Sequence, residues 1–248
     1  MDILHHFSLQ SLKEIHFLGM DLSITKAVLM MWIASLLLLI LFLLGQKGRK
    51  ETPTRFQNFL EILVQFLKEN LTRATIEDEK DAERWFPLIA TFFLFILTCN
   101  LLGLVPGAFT ATSNINVTAA LALLVFLLSQ GAGIARHGLF GYLKTFIPHG
   151  VPAWILPLML PVEILSQFAK PFSLAVRLFA NMLAGHVVIL VFLSGLVALR
   201  GFFLIIAPLP LAMTLVMNLF EIFVAFIQAY IFSTLTAVYL NQALHPAH

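Results

Sequence analysis

Hydrophobic positions occur along this chain in long unbroken runs, separated by short polar stretches. Residues 24–44 form the first run, long enough as a helix at about 1.5 Å per residue to cross a hydrocarbon core of roughly 30 Å. Residues 54–71 follow a different pattern. Phe56, Phe59, Leu60, Leu63, Phe66 and Leu67 recur at helical spacing on one face, with Gln57, Glu61, Lys68 and Glu69 on the other. That spacing predicts an amphipathic helix lying on the membrane or on a partner. Glu77 to Asp81 reads as a solvated acidic turn. Further crossings are predicted over 85–105, ending in Asn100-Leu-Leu-Gly103-Leu-Val-Pro106, and over 117–135, with a Gly/Pro-punctuated loop at 136–152.

Two very long apolar stretches, 154–199 and 202–240, close the chain. Fully helical, they would run roughly 69 and 58 Å, about twice a perpendicular crossing. Each must be broken, strongly tilted or partly in the membrane plane, and Pro157, Pro161, Pro171, Pro208 and Pro210 permit bends. The expected fold is a single all-α membrane domain over 1–248. It has about five transmembrane helices plus the amphipathic surface helix, the last two long and tilted as an antiparallel hairpin.

Composition agrees with a polytopic membrane protein. Of 248 residues 60% are hydrophobic and 11% charged, with mean hydropathy +0.94, where a soluble domain is about 25% charged. The single Cys99 excludes an internal disulfide, and no His/Cys cluster supports a metal site. No phosphate-binding Gly-x-x-x-x-Gly-Lys-Ser/Thr loop occurs, so no cofactor, metal or nucleic acid is expected. The first run lacks a basic region before it and a small-residue cleavage site after it, and so reads as an uncleaved anchor. Lys47, Arg49, Lys50, Arg55, Lys68, Arg73, Lys80 and Arg84 lie between the first two crossings, and Arg136 and Lys144 lie in the 136–152 loop; Lys13, Lys26 and Arg200 lie on the other side. The positive-inside rule then puts the N-terminus outside and the C-terminus in the cytoplasm.

Glu163, Lys170, Arg177 and Glu221 are charges inside the last two apolar stretches. Facing lipid, they would together cost roughly 10–14 kcal/mol on insertion scales, so they must face protein or water. Glu163, Lys170 and Arg177 are seven apart and drift only about 20° per step around a helix; Ser166, Ser173 and Asn181 share that stripe. On the last stretch Asn218, Glu221, Ala225 and Gln228 share a face. In an antiparallel hairpin, residues at equal depth have a constant sum of numbers. Arg177 with Gln228, and His186 with Glu221, satisfy nearly the same sum, with a turn near residue 203. His186 and Glu221 exchange protons. Arg177 keeps its proton but attracts a carboxylate and repels a cation. Glu163 stands about 21 Å from Arg177 toward the cytoplasm and His186 about 14 Å toward the outside. Proton-exchanging groups thus flank a fixed positive barrier.

The run Lys170-Pro171-Phe-Ser173-Leu-Ala-Val-Arg177-Leu-Phe-Ala-Asn181-Met-Leu-Ala-Gly185 closely resembles subunit a of F-type ATP synthases, the stator proton channel. So do Asn100-Leu-Leu-Gly103-Leu-Val-Pro106 and Ile227-Gln228-Ala-Tyr-Ile-Phe232. The resemblance covers essentially the whole chain. It implies a bacterial inner-membrane subunit of the ATP synthase complex that performs no ATP chemistry itself. It also implies partners in the rotor c-ring, the peripheral-stalk b subunits and membrane lipid. Arg177 would face the ion-carrying carboxylates of the c-ring. Glu163 and Ser173 would belong to the cytoplasmic half-channel, and Asn181, His186, Asn218, Glu221 and Gln228 to the outer one. Some members carry an acidic residue after the Ala-Gly and a histidine on the last helix; here the two types are exchanged.

Other roles stand beside these. Glu163 could be interfacial, and Lys170, next to Pro171, fits snorkelling or structural pairing better than conduction. Ser173, Asn181, Asn218 and Gln228 could be interhelical hydrogen-bond glue, as could Asn100. His5, His6, His16, His137, His149, His245 and His248 read as solvated. A self-contained cation transporter or channel is the rival function, but it would usually show an internal repeat and none is visible. An intramembrane hydrolase would need a nucleophile or metal motif, and neither His-Glu-x-x-His nor Gly-x-Ser-x-Gly occurs.

Overall fold

The computed structural model describes residues 11–13, 16–17, 20–21, 24–46, 54–105, 108–145, 155–198 and 208–246. Six helices dominate it: α1 (Lys26–Gln46), α2 (Arg55–Phe66), α3 (Glu79–Gly103), α4 (Ile115–Thr145), α5 (Leu156–Ala198) and α6 (Pro208–Leu244). All but α2 are long and apolar enough to cross a membrane. Before α1, two minimal antiparallel pairs join Ser11–Lys13 to Ile24–Thr25 and His16–Phe17 to Met20–Asp21. The expected turn near residue 203, Arg200, and the basic residues Lys47, Arg49 and Lys50 lie outside the described residues.

α2 begins where the Thr54 hydroxyl accepts a hydrogen bond from the Gln57 backbone amide at 3.3 Å, satisfying one of the first-turn donors. It buries Leu60 and leaves Phe56, Phe59 and Ile62 exposed. It then loosens into a π-helical turn over Leu67–Arg73. The acidic segment that follows is only partly a solvated turn. Glu79 and Asp81 stand in the first turn of α3, where the helix dipole favours negative charge. Asp81 is largely covered because Arg136 and His245 both bind it, His245 Nε2 at 3.2 Å. His245 is therefore a hydrogen-bond partner of Asp81 and not a fully solvated residue. His137 is likewise engaged, with Nε2 3.0 Å from the Leu244 carbonyl.

The segment expected as a loop from 136 is helical as far as Thr145. Gly138, at φ 70° and ψ 163°, interrupts it, a left-handed conformation that glycine adopts without steric cost. Apolar Leu139 and Leu143 then allow a further turn of helix, and Tyr142 folds back so that its hydroxyl donates to Gln130 at 2.9 Å. Gly133 faces the Tyr142 ring, leaving no room there for a side chain.

α5 and α6 run unbroken for 43 and 37 residues, with Pro161 and Pro171 inside α5. Of the options open to such lengths, internal breaks are thus excluded over the described helices. Both are still about twice the length a perpendicular crossing needs.

The chain divides into two compact units. One comprises Met1–Leu43, Leu94–Val117 and Leu178–Ala229. Within it, Ala34 of α1, Cys99 of α3 and Ala111 form a small core with Met30, Met31, Phe95 and Leu102. Small residues at the centre let helix backbones approach where lipid tails supply no hydrophobic drive. The other unit comprises Leu44–Phe93, Thr118–Arg177 and Tyr230–His248. Phe92 packs on Phe232 at 5.7 Å and Phe126 on Phe168 at 5.5 Å between ring centroids.

Candidate functional site

In the first unit, α5 and α6 bring His186 and Glu221 together. Glu221 is buried, only 3% exposed. His186 Nδ1 lies 2.9 Å from Glu221 Oε1 and 2.9 Å from the Met182 carbonyl one turn earlier. The aligned hydrogen bond goes to Met182, and neither Glu221 oxygen accepts an aligned one. On the other edge of the ring, Nε2 lies 2.7 Å from the Thr110 hydroxyl and 3.1 Å from the Gly103 carbonyl. Gly185 makes room for this pair: a Cβ there would stand 2.5 Å from Glu221 Oε1.

One turn before Gly185, Asn181 donates from Nδ2 to Gln228 Oε1 at 2.7 Å. Gln228 is buried and its amide nitrogen has no partner among the described residues. Asn218 is half-buried and turns its amide to the Thr214 carbonyl of its own helix, 3.0 Å away. Asn100, expected as interhelical glue, accepts a bond from Thr112 at 2.6 Å.

The second unit holds a polar cavity of about 310 Å³, lined by Glu163, Gln167, Lys170, Tyr142, Tyr239 and Gln242 among others. Gln167 bridges two charges: its amide nitrogen donates to Glu163 at 3.2 Å and its amide oxygen accepts from Lys170 Nζ at 3.3 Å. Lys170 Nζ also donates to Gln242 at 3.0 Å and stands 5.6 Å from the Tyr239 ring centroid. Lys170 is thus structurally paired with its neighbours at the cavity.

Arg177 differs from all of these. Its side chain is exposed, and among the described residues it has no hydrogen bond or ion pair. Exposed apolar residues precede it along α5: Leu165, Phe168, Phe172 and Val176. Ser166 and Ser173 are exposed as well. The polar stripe of α5 therefore divides, with Glu163 and Lys170 at the cavity and Ser166, Ser173 and Arg177 exposed.

A family model described as ATP synthase A chain matches residues 28–241. The chain belongs to the ATP synthase A chain family. Relatives named ATP synthase subunit a include that of Magnetococcus marinus, 43% identical over 99% of this chain and 93% of its own. The Bradyrhizobium diazoefficiens protein is 43% identical over 100% and 99%, and that of Rhodopseudomonas palustris 41% identical over the whole of both chains.

For this member of the family, the hydrophobic pattern gave no hint that Gly103, at the end of α3, and Thr110 approach His186. Gln167 and Gln242 carried a weak signal. Gln167 is one turn from Glu163, and Gln242 continues the last helix beyond the predicted end at 240, where polar residues ordinarily mark an exit from the membrane.

Proposed function

We propose that this chain is the proton-conducting stator of a bacterial rotary ATP synthase, offering two separate half-channels to the carboxylates of a rotor c-ring. The carrying observation is Arg177: an exposed guanidinium on an apolar helix, with no ion pair or hydrogen bond among the described residues. Left in lipid it would cost about 2.5–3.5 kcal/mol or more, and it stays charged at all relevant pH. A passing carboxylate on a partner's membrane surface answers that charge. Beside the guanidinium its ionised form is favoured, so the arginine draws the carboxyl to release its proton before crossing.

The two polar clusters supply the routes. His186 and Glu221, with Asn181, Gln228 and Asn218 nearby in sequence register, form the route from the outer face. The Glu163 cavity, with Ser173 toward Arg177, forms the route to the cytoplasm. The positive-inside pattern supports this sidedness, with the N-terminus outside and the C-terminus within. ATP chemistry resides on other subunits, and peripheral-stalk b subunits hold this one still against the ring. A self-contained transporter or channel is not favoured, since family membership supports a subunit of a larger machine.

Arg177→Ala tests this reading. Inverted membrane vesicles carrying it should assemble the synthase yet show no ATP-driven acidification. Arg177→Lys should fail too, because an ammonium lacks the delocalised fork and gives up its proton when buried. Normal coupled pumping with Arg177→Ala would refute the proposal.

A further inference from the structure

The surroundings of His186 are asymmetric. Nδ1 faces the Met182 carbonyl and the Glu221 carboxylate, each at 2.9 Å. A carbonyl oxygen only accepts, so this nitrogen is best satisfied carrying a hydrogen. Nε2 faces the Gly103 carbonyl at 3.1 Å and the Thr110 hydroxyl at 2.7 Å. Of these four oxygens only the hydroxyl both donates and accepts without changing its own protonation state. Thr110 is itself 2% exposed, so it is held in place and not a chance surface contact. Gly103 is the notch that admits it, because a Cβ at 103 would collide with the Thr110 side chain.

We propose that Thr110 is a positioning residue of the proton path, its hydroxyl reversing direction each time His186 Nε2 gains or loses a proton. The inference rests on the reading of His186 and Glu221 as proton-handling groups. When Nε2 is protonated, its N–H donates to Thr110 Oγ and the Gly103 carbonyl. When that proton departs to water on the path, the Thr110 O–H rotates and donates to the bare nitrogen. One N–H bond breaks and one O–H bond forms on water; Thr110 keeps its own proton throughout, and no heavy atom has to move. Without the hydroxyl, bare Nε2 would lose the one protein group placed to donate to it and would face the Gly103 oxygen, lone pair against lone pair, so the deprotonated form would be disfavoured. His186 would then be held protonated and exchange slowly.

The test is passive proton conduction through the membrane sector of the assembled synthase, stripped of its catalytic head, with ATP-driven pumping measured before stripping. Thr110→Val keeps the shape and removes the hydroxyl, and should slow conduction by up to about ten-fold, the scale of one lost neutral hydrogen bond. Thr110→Ser keeps the hydroxyl and should conduct within about two-fold of the parent. If Thr110→Val does not assemble, Thr110→Cys replaces it: a thiol of similar size bonds weakly and should conduct clearly more slowly than Thr110→Ser. Parental conduction in Thr110→Val, or equal rates for Thr110→Cys and Thr110→Ser, would overturn the inference. His186→Ala measured alongside separates the two levels. If it is slow while Thr110→Val is fast, only the role of Thr110 falls; if it too conducts normally, the reading of the His186–Glu221 path falls with it.

Discussion

Gly185→Ala probes the His186–Glu221 pair without touching either member. Alanine suits a helix better than glycine by about 1 kcal/mol, so on helix propensity alone the change would stabilise α5. The geometry predicts the opposite for function. The new Cβ would stand 2.5 Å from Glu221 Oε1, 2.9 Å from Cδ and 3.3 Å from Cγ. To restore ordinary contact of about 3.5–4 Å, the carboxylate must retreat by roughly 1 Å. The His186 Nδ1 to Oε1 separation, now 2.9 Å, then passes beyond hydrogen-bond range. What is lost is the close charge contact of the pair rather than an aligned hydrogen bond; taking about 1.5–3 kcal/mol as the scale of a close interaction with a charged group, pumping should fall by roughly ten-fold to a hundred-fold at constant assembly. ATP-driven fluorescence quenching in inverted vesicles reads the rate, and subunit content in the purified synthase checks assembly. Parental pumping in a fully assembled Gly185→Ala synthase would refute the coupling of pair geometry to transport.

Two further outcomes follow from the geometry. His186→Glu and Glu221→His should be non-additive, with the exchanged double variant retaining more transport than the worse single one; purely additive losses would show that the two act separately. Asp81→Asn weakens the ties to Arg136 and His245; it should lower the thermal midpoint of the detergent-solubilised protein by about 2–4 °C per kcal/mol lost while leaving the pumping rate of membrane-embedded synthase near the parental value.

How much of this was legible beforehand depends on what kind of order each feature has. The long helices declare themselves because lipid exposure demands continuous apolar sequence, as in Leu36, Leu37 and Leu39 of α1, all exposed. The meeting of His186 with Glu221 was legible because antiparallel helices impose a constant sum of residue numbers. The same rule aligned Arg177 with Gln228, but Gln228 bonds to Asn181, one helical turn further on; side-chain length and tilt blur depth by about a turn. The glycines after Arg136 suggest a loop, yet only Gly138 leaves helical geometry before Thr145. Thr110 had no periodic signal at all. It lies outside the regular helices, and such segments carry no period from which contacts can be read.

The central claim is that two water paths open to opposite faces and end near Arg177 without joining. With Cys99 first replaced, single cysteines at Glu163 and Glu221 are exposed in turn to a membrane-impermeant thiol reagent in right-side-out and inverted vesicles, with labelling and pumping both recorded. The account predicts that Glu221→Cys reacts from the outer face and Glu163→Cys from the cytoplasmic face, each modification slowing transport. Labelling of both positions from the same face, or of either equally from both, would contradict it.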